Sequence, residues 1–165
     1  MASRPQRIDA APDAAPSSLA RWRREVRAGR DALRDAFLAK PDTPRLLREH
    51  ARLVDRVLRG LWAESAMPRG VALVAVGGYG RGQLFPHSDV DVLILLPAGA
   101  NPAPSAPIER FLAALWDAGL EVGHAVRSVD DCEREMAGDV TVRTSLLENR
   151  LLAGSRKLHA AFRER

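Results

Sequence analysis

A single cysteine, Cys132, is all the thiol this chain contains. That excludes an internal disulfide or a thiolate cluster, fits a reducing compartment, and argues against a structural zinc site. No stretch approaches the ~20 consecutive apolar residues that a bilayer span requires. The opening "MASRPQRIDAAPDAAPSS" has no apolar segment of the kind that marks a secretory signal. Neither a membrane partner nor export is expected, and the expected address is cytoplasmic. Aromatic residues make up only 5% of the chain and do not interleave with its arginines, so a base-stacking platform is missing and no nucleic-acid partner is expected. Trp22, Trp62 and Trp116 recur on apolar helical faces and read as core.

What is present suffices for one modest domain, with or without an appendage: 165 residues, 46% of them apolar. The net charge of +4 is unevenly spread, with 15 Lys+Arg against 9 Asp+Glu in residues 1–70 and 10 against 12 in residues 71–165. A polyanion-binding face is one reading of that excess. In "RWRREVRAGRDALRDAF", however, arginines and acids share the polar side of an amphipathic helix, and a solvated helix face accounts for them better.

The chain divides into three parts. Residues 1–16, rich in Ala, Pro and Ser, read as a disordered tail. Residues 17–66 read as a helical hairpin. Ser17 or Ser18 caps a first helix with the stripe Leu19, Trp22, Val26, Leu33, Phe37. Thr43-Pro44 opens a second, with the stripe Leu47, Val54, Val57, Leu58, Leu61. Residues 67–165 read as a domain built on a small sheet. "VALVAV" at 71–76, "VDVLILL" at 90–96 and "LEVGHAVR" at 120–127 are strands, and a helix lies between the second and third and stops at Gly119. Ser128 with Asp131 forms a capping-box variant. Asp139 caps a helix running through "TVRTSLLENRLLA" to Gly154, and a last helical segment, "SRKLHAAFRER", shows no stop signal, so the natural chain is expected to continue. Cys132 falls at helical spacing from Val129 and Met136 and reads as core. His50 and His159 read as helix surface, His87 as loop, and His124 as a hydrogen-bonded strand residue.

The chemistry concentrates in "VAVGGYGRGQLFPHSDVDVLILLP", residues 74–97. A Walker-type loop requires Gly-Lys-Ser/Thr, and this loop has no lysine. A dinucleotide-binding turn opens straight into a long helix, whereas here Pro86 follows closely and the acids come early. Two readings remain. In one, Asp89 and Asp91, at i and i+2 at the head of a strand, project to the same side and share a divalent cation. Gly77, Gly78, Gly80 and Gly82 then let backbone N–H groups approach a triphosphate, Arg81 offsets its charge, and Ser88 adds a hydroxyl. In the other, a glycine-rich turn joins two antiparallel strands and the acids are solvated. The combination favours the first, because two like charges on one face repel without a cation between them.

Gly77-Gly78, ten intervening residues and Asp89-Val90-Asp91-Val92 resemble the signature of the DNA polymerase β-like nucleotidyltransferase superfamily. "VGGYGRGQLFPHSDVDVLIL", "LWDAGLEVGHAVRS" and "LLENRLLAG" are similar to the N-terminal part of the bacterial PII uridylyltransferase/uridylyl-removing family. The resemblance implies an α/β (α+β) fold, a small mixed β-sheet with packed helices. It implies transfer of UMP from UTP to a tyrosine of the PII nitrogen-signalling protein, with release of pyrophosphate and glutamine as effector. It implies Mg²⁺, with Mn²⁺ as the alternative ion. A third carboxylate is implied on a neighbouring strand, where Glu121 is the candidate and an approximate match to the glutamine synthetase adenylyltransferase pattern places Gly123 instead. The same resemblance brings a hydrolase domain with a His-Asp doublet. This chain contains no such dipeptide, so no uridylyl-removing activity is expected of it. The runner-up is a nucleotide-sensing module that keeps the fold without turnover.

Overall fold

The computed structural model describes residues 18–100 and 105–165; the tail at 1–16, Ser17 and residues 101–104 lie outside the described residues. Two helices, α1 (Ser18–Ala39) and α2 (Thr43–Glu64), form the expected hairpin. All five α2 stripe residues are buried, and so are Trp22 and Val26 of α1. The helices approach closely because Gly60 presents bare backbone to the Trp22 ring, which occupies the space a Cβ would need. Trp22 Nε1 then donates to Glu64 Oε1 at 3.0 Å. The cap of α2 is Asp42 rather than Thr43: its carboxylate accepts the Arg45 N–H at 2.9 Å, which moves Thr43 and Pro44 into the first turn.

After the hairpin come β1 (Ala72–Val76), a single helical turn α3 (Gly77–Gly80), β2 (Val90–Leu96), α4 (Ala106–Asp117) and β3 (Val122–Ser128). Then follow α5 (Val129–Gly138), α6 (Val140–Leu147), β4 (Asn149–Gly154) and α7 (Arg156–Arg163). The sheet is mixed, in the order β3-β2-β1-β4. β1 pairs antiparallel with β2 and β4, and β2 pairs parallel with β3 across the α4 crossover. Both faces are covered. Leu73, Ala75, Val92 and Ile94 pack with α1, α2 and α4, while Ala72, Val74, Leu93 and Leu95 pack with Cys132, Leu146 and Phe162. This double burial is why the strands read as continuous apolar runs instead of alternating ones. Among the described residues no helix is long and apolar enough to cross a membrane.

The capping box of Ser128 and Asp131, the Asp139 cap and the positive φ of Gly119 match the sequence reading. Cys132 is fully buried, and burial pushes its thiol up to about 11. Five expectations need correction. The helix expected from Asp139 to Gly154 stops at Leu147, and residues 149–154 form β4, an edge strand that supplies Leu152 to the core. Its leucines satisfy a helical stripe and a short strand equally, and only pairing with β1 separates the two. Gly154, with φ 86, ends that strand against the Val71 carbonyl rather than capping a helix. The glycine segment expected as loop opens with the helical turn α3. Trp116, expected in the core, is 54% exposed, with its ring edge-on to His124.

The fifth correction is His50, expected at the surface and in fact only 3% exposed. Its Nδ1 faces the Leu84 carbonyl at 3.2 Å. Since a carbonyl only accepts, Nδ1 carries the proton. Burial, with Arg30 and His87 nearby, lowers its pKa. The unfolded chain therefore binds the extra proton first, and folding stability contributed here is lost as pH falls below the ordinary histidine value of about 6.5. Thermal melts from about pH 7.5 to about pH 5 should show falling Tm, with a shallower slope in His50→Gln. An unchanged slope would remove His50 as the cause.

Candidate functional site

The antiparallel β1–β2 pair brings the end of β1 beside the start of β2, and the parallel β2–β3 pair brings the start of β3 to the same edge. Asp91 of β2 lies opposite Gly123 of β3. Side-chain alternation sends Asp91 to the face shared by Leu93 and Leu95, beneath α6. There its carboxylate is flanked by two glycines. A Cβ at Gly77 would lie 3.8 Å from Oδ2, and one at Gly123 would collide with Oδ1. A side chain at Gly123 would therefore displace the carboxylate, and the φ of 59 at Gly77 disfavours one there. An open cleft of about 240 Å³ runs from this carboxylate past Gly123, Arg127, Val142 and Ser145.

Asp89 precedes β2 by one residue, so it stands just off the strand rather than at its head. Its charge still reaches Asp91: the Asp91 carboxyl is raised above its ordinary value, first by burial and then by Asp89. The two acids are thus brought together, and among the described residues neither forms a salt bridge. Glu121 is exposed at the foot of β3, and its backbone carbonyl accepts the Val90 N–H at 2.8 Å. Among the described residues, no three His, Cys, Asp or Glu side chains gather into a metal-binding group.

The other candidates divide by surroundings. Gly77 and Gly82 take positive φ values of 59 and 76, which a residue with a side chain resists. Gly78 lies beside the Arg81 guanidinium and the Gln83 carbonyl. Gly80 is buried, and a Cβ there would run into the Glu148 carbonyl, so packing explains its missing side chain. Arg81 holds Glu148 through Nη1, at 2.7 Å to each carboxylate oxygen, across a half-exposed pair. Ser88 donates its hydroxyl to the Phe85 carbonyl at 2.9 Å. His124 faces the α4 side, away from Asp91. His87 is exposed in the loop with φ 67, and half-buried His159 meets Asn149 Oδ1 at 2.8 Å.

Sequence reasoning missed what lies behind and above the turn. Ser145 of α6 reaches Gly77, its Oγ 3.3 Å from where a Cβ would stand. Behind the turn, Tyr79 donates to Asp55 and Arg150 pairs with the same carboxylate. Asp55 was detectable as an acid set between Val54 and Val57 on the apolar face of α2. Arg150 carried no such signal, because its segment reads equally well as helix.

Residues 57–153 match the family described as nucleotidyltransferase domain. The chain is 50% identical over 136 residues to the bifunctional uridylyltransferase/uridylyl-removing enzyme of Chromobacterium violaceum, an alignment covering 82% of this chain and 16% of that protein. The protein of the same description from Bordetella parapertussis is 52% identical over the same shares. That of Cupriavidus metallidurans is 49% identical over 88% of this chain and 17% of its own length. The chain spans about a sixth of the length of the curated relatives it matches.

Proposed function

Because the chain belongs to the nucleotidyltransferase domain family, we propose that it transfers UMP from UTP to a tyrosine hydroxyl of a PII-type protein, releasing pyrophosphate. The observation that carries the reading is the Asp91 carboxylate, cradled between Gly77 and Gly123 with the Asp89 charge beside it. A hard divalent cation suits that donor set: two carboxylates, one half-buried, neither of them in a salt bridge among the described residues. Asp89 and Asp91 would hold Mg²⁺, or Mn²⁺ in its place, and Glu121 would need to turn inward to join them. When bound, the ion neutralises phosphate charge and orients the triphosphate.

The rest falls to the chain's own groups. Backbone N–H groups around Gly77 and Gly78 take phosphate oxygens, because nothing beyond Cα blocks the approach. Arg81 and Gly82 border the same turn, and Arg81 can exchange Glu148 for a phosphate at small cost, since a half-exposed ion pair is worth little. Ser88 offers a hydroxyl at the edge of the site. The acceptor oxygen forms a bond to the α-phosphorus as the bond to the pyrophosphate oxygen breaks in line, and the acceptor proton leaves to solvent or a neighbouring base. PII as acceptor and glutamine as effector belong to this proposal, and the likeness to uridylyltransferases supports its uridylyl-transfer step.

A second reading, a nucleotide-sensing module without turnover, draws on the absence of a three-acid group among the described residues. One experiment separates them. Each of the four nucleoside triphosphates is offered with Mg²⁺ and a PII protein, and both pyrophosphate release and the mass added to PII are read. UMP addition is expected. Binding by calorimetry without pyrophosphate would favour the sensor, and neither signal would remove both.

A further inference from the structure

In Gly77-Gly78-Tyr79-Gly80-Arg81-Gly82 only two residues have side chains with which the fold can grip the turn. Glycine has the greatest backbone freedom of any residue, so a turn this rich in it is not rigid by itself. Arg81 points outward to Glu148. Tyr79 points inward, 1% exposed, and its hydroxyl donates to Asp55 Oδ1 at 2.7 Å. Asp55, 8% exposed on α2, also accepts Arg150 Nη1 at Oδ2, 2.6 Å away, and Arg150 Nη2 at Oδ1, 3.0 Å away. Arg150 Nη2 lies 3.4 Å from the Tyr79 carbonyl, which also accepts the Gly82 N–H at 3.0 Å. The side chain and main chain of Tyr79 are therefore held from one point.

The Asp55–Arg150 pair is part-buried. An ion pair withdrawn from water often adds little net stability compared with apolar residues of the same shape, which leaves the holding of a defined geometry as its role here. Here that geometry is imposed on the turn in front of Asp91. We propose that Asp55, Tyr79 and Arg150 form a positioning clamp that fixes the glycine turn for the nucleotide's phosphates, which makes α2 of the helical hairpin part of the site. The proposal rests on the transferase reading. None of the three side chains touches the nucleotide; they act through the turn.

The test compares the wild-type chain with Tyr79→Phe, Asp55→Asn and the double variant, all well below their melting temperatures. Tyr79→Phe removes one hydroxyl, keeps the packed ring and leaves the Asp55–Arg150 pair intact, so it keeps the test usable if Asp55→Asn folds poorly. The first readout is calorimetric affinity for UTP with Mg²⁺. Each single variant should weaken it about 10–100-fold, the range for groups that orient a ligating element without touching the ligand. The double variant should be little worse than the weaker single, because both act through one contact. The second readout needs no nucleotide: amide exchange at Arg81, Gly82 and Gln83, whose N–H groups close the turn. It should quicken there and stay unchanged in β2. Val26→Ala, in the α1 core, should lower Tm without moving either readout. Wild-type affinity together with wild-type exchange in Tyr79→Phe would overturn the clamp, and so would exchange that quickens equally throughout the chain. If the wild-type chain itself fails to bind UTP with Mg²⁺, the transferase reading fails, and the exchange result alone decides whether the clamp stands.

Discussion

Asp91→Asn and Asp89→Asn should each lower pyrophosphate release by several orders of magnitude while leaving the metal-free chain folded, and Asp91→Asn should raise its melting temperature. The amide keeps the size of the carboxylate and some of its hydrogen bonding but removes the charge that a hard cation needs. The stability change has the opposite sign for a definite reason. Burial first, and then Asp89, raises the Asp91 pKa, so the folded chain holds this proton more tightly than the unfolded one. The carboxylate therefore opposes folding increasingly as pH rises from the ordinary aspartate value of about 3.9 through the raised folded value, and the full penalty applies above it. The gain from Asp91→Asn should be complete at neutral pH and disappear in acid. With Mg²⁺ and UTP the order should invert, because the wild-type chain gains stability from ligand and the variants do not. Variants that melt lower at neutral pH and keep their activity would show that the two acids serve the turn and not a metal.

Gly80→Ala should produce the largest loss of stability among glycine-to-alanine substitutions in the glycine segment. The added methyl would enter the space of the Glu148 carbonyl carbon and oxygen and come within 3.1 Å of the Ala75 carbonyl. Both obstacles are backbone, one just before β4 and one in β1, and cannot swing aside like a flexible side chain. Overpacking of this kind costs about 1–3 kcal/mol, which corresponds to about 2–4 °C of Tm per kcal/mol in a chain of this size. Gly123→Ala offers the contrast. Its methyl would meet only the Asp91 carboxylate, a side-chain end that can rotate, so metal and nucleotide affinity should fall while Tm changes little. Equal melting temperatures for wild type and Gly80→Ala would contradict the packing role. An unchanged affinity in Gly123→Ala would contradict the cradle around Asp91.

The sequence by itself determined every element whose pattern admits one solution. The amphipathic stripes of α1 and α2, the apolar runs of β1 and β2, and the caps at Ser128 and Asp139 are local signals, each readable within a few residues of chain. The Asp-x-Asp pair and the glycines were legible too, as a turn leading into β2 with Asp91 on the strand and Asp89 just before it. Tertiary structure decided what depends on a partner distant in the chain. Residues 149–154 could coil or extend with equal satisfaction of their leucines, and hydrogen bonding to β1, some 75 residues earlier, made them a strand. That strand carries Arg150 to Asp55, 95 residues away, and sets the Glu148 carbonyl against Gly80. His50 became core because the loop carbonyl of Leu84 met its ring, and Trp116 stayed in solvent although its helix is amphipathic. Local periodicity records which face of an element is apolar. Which polar groups that face must satisfy once buried is fixed only when the elements pack, because burial removes water as the default hydrogen-bond partner.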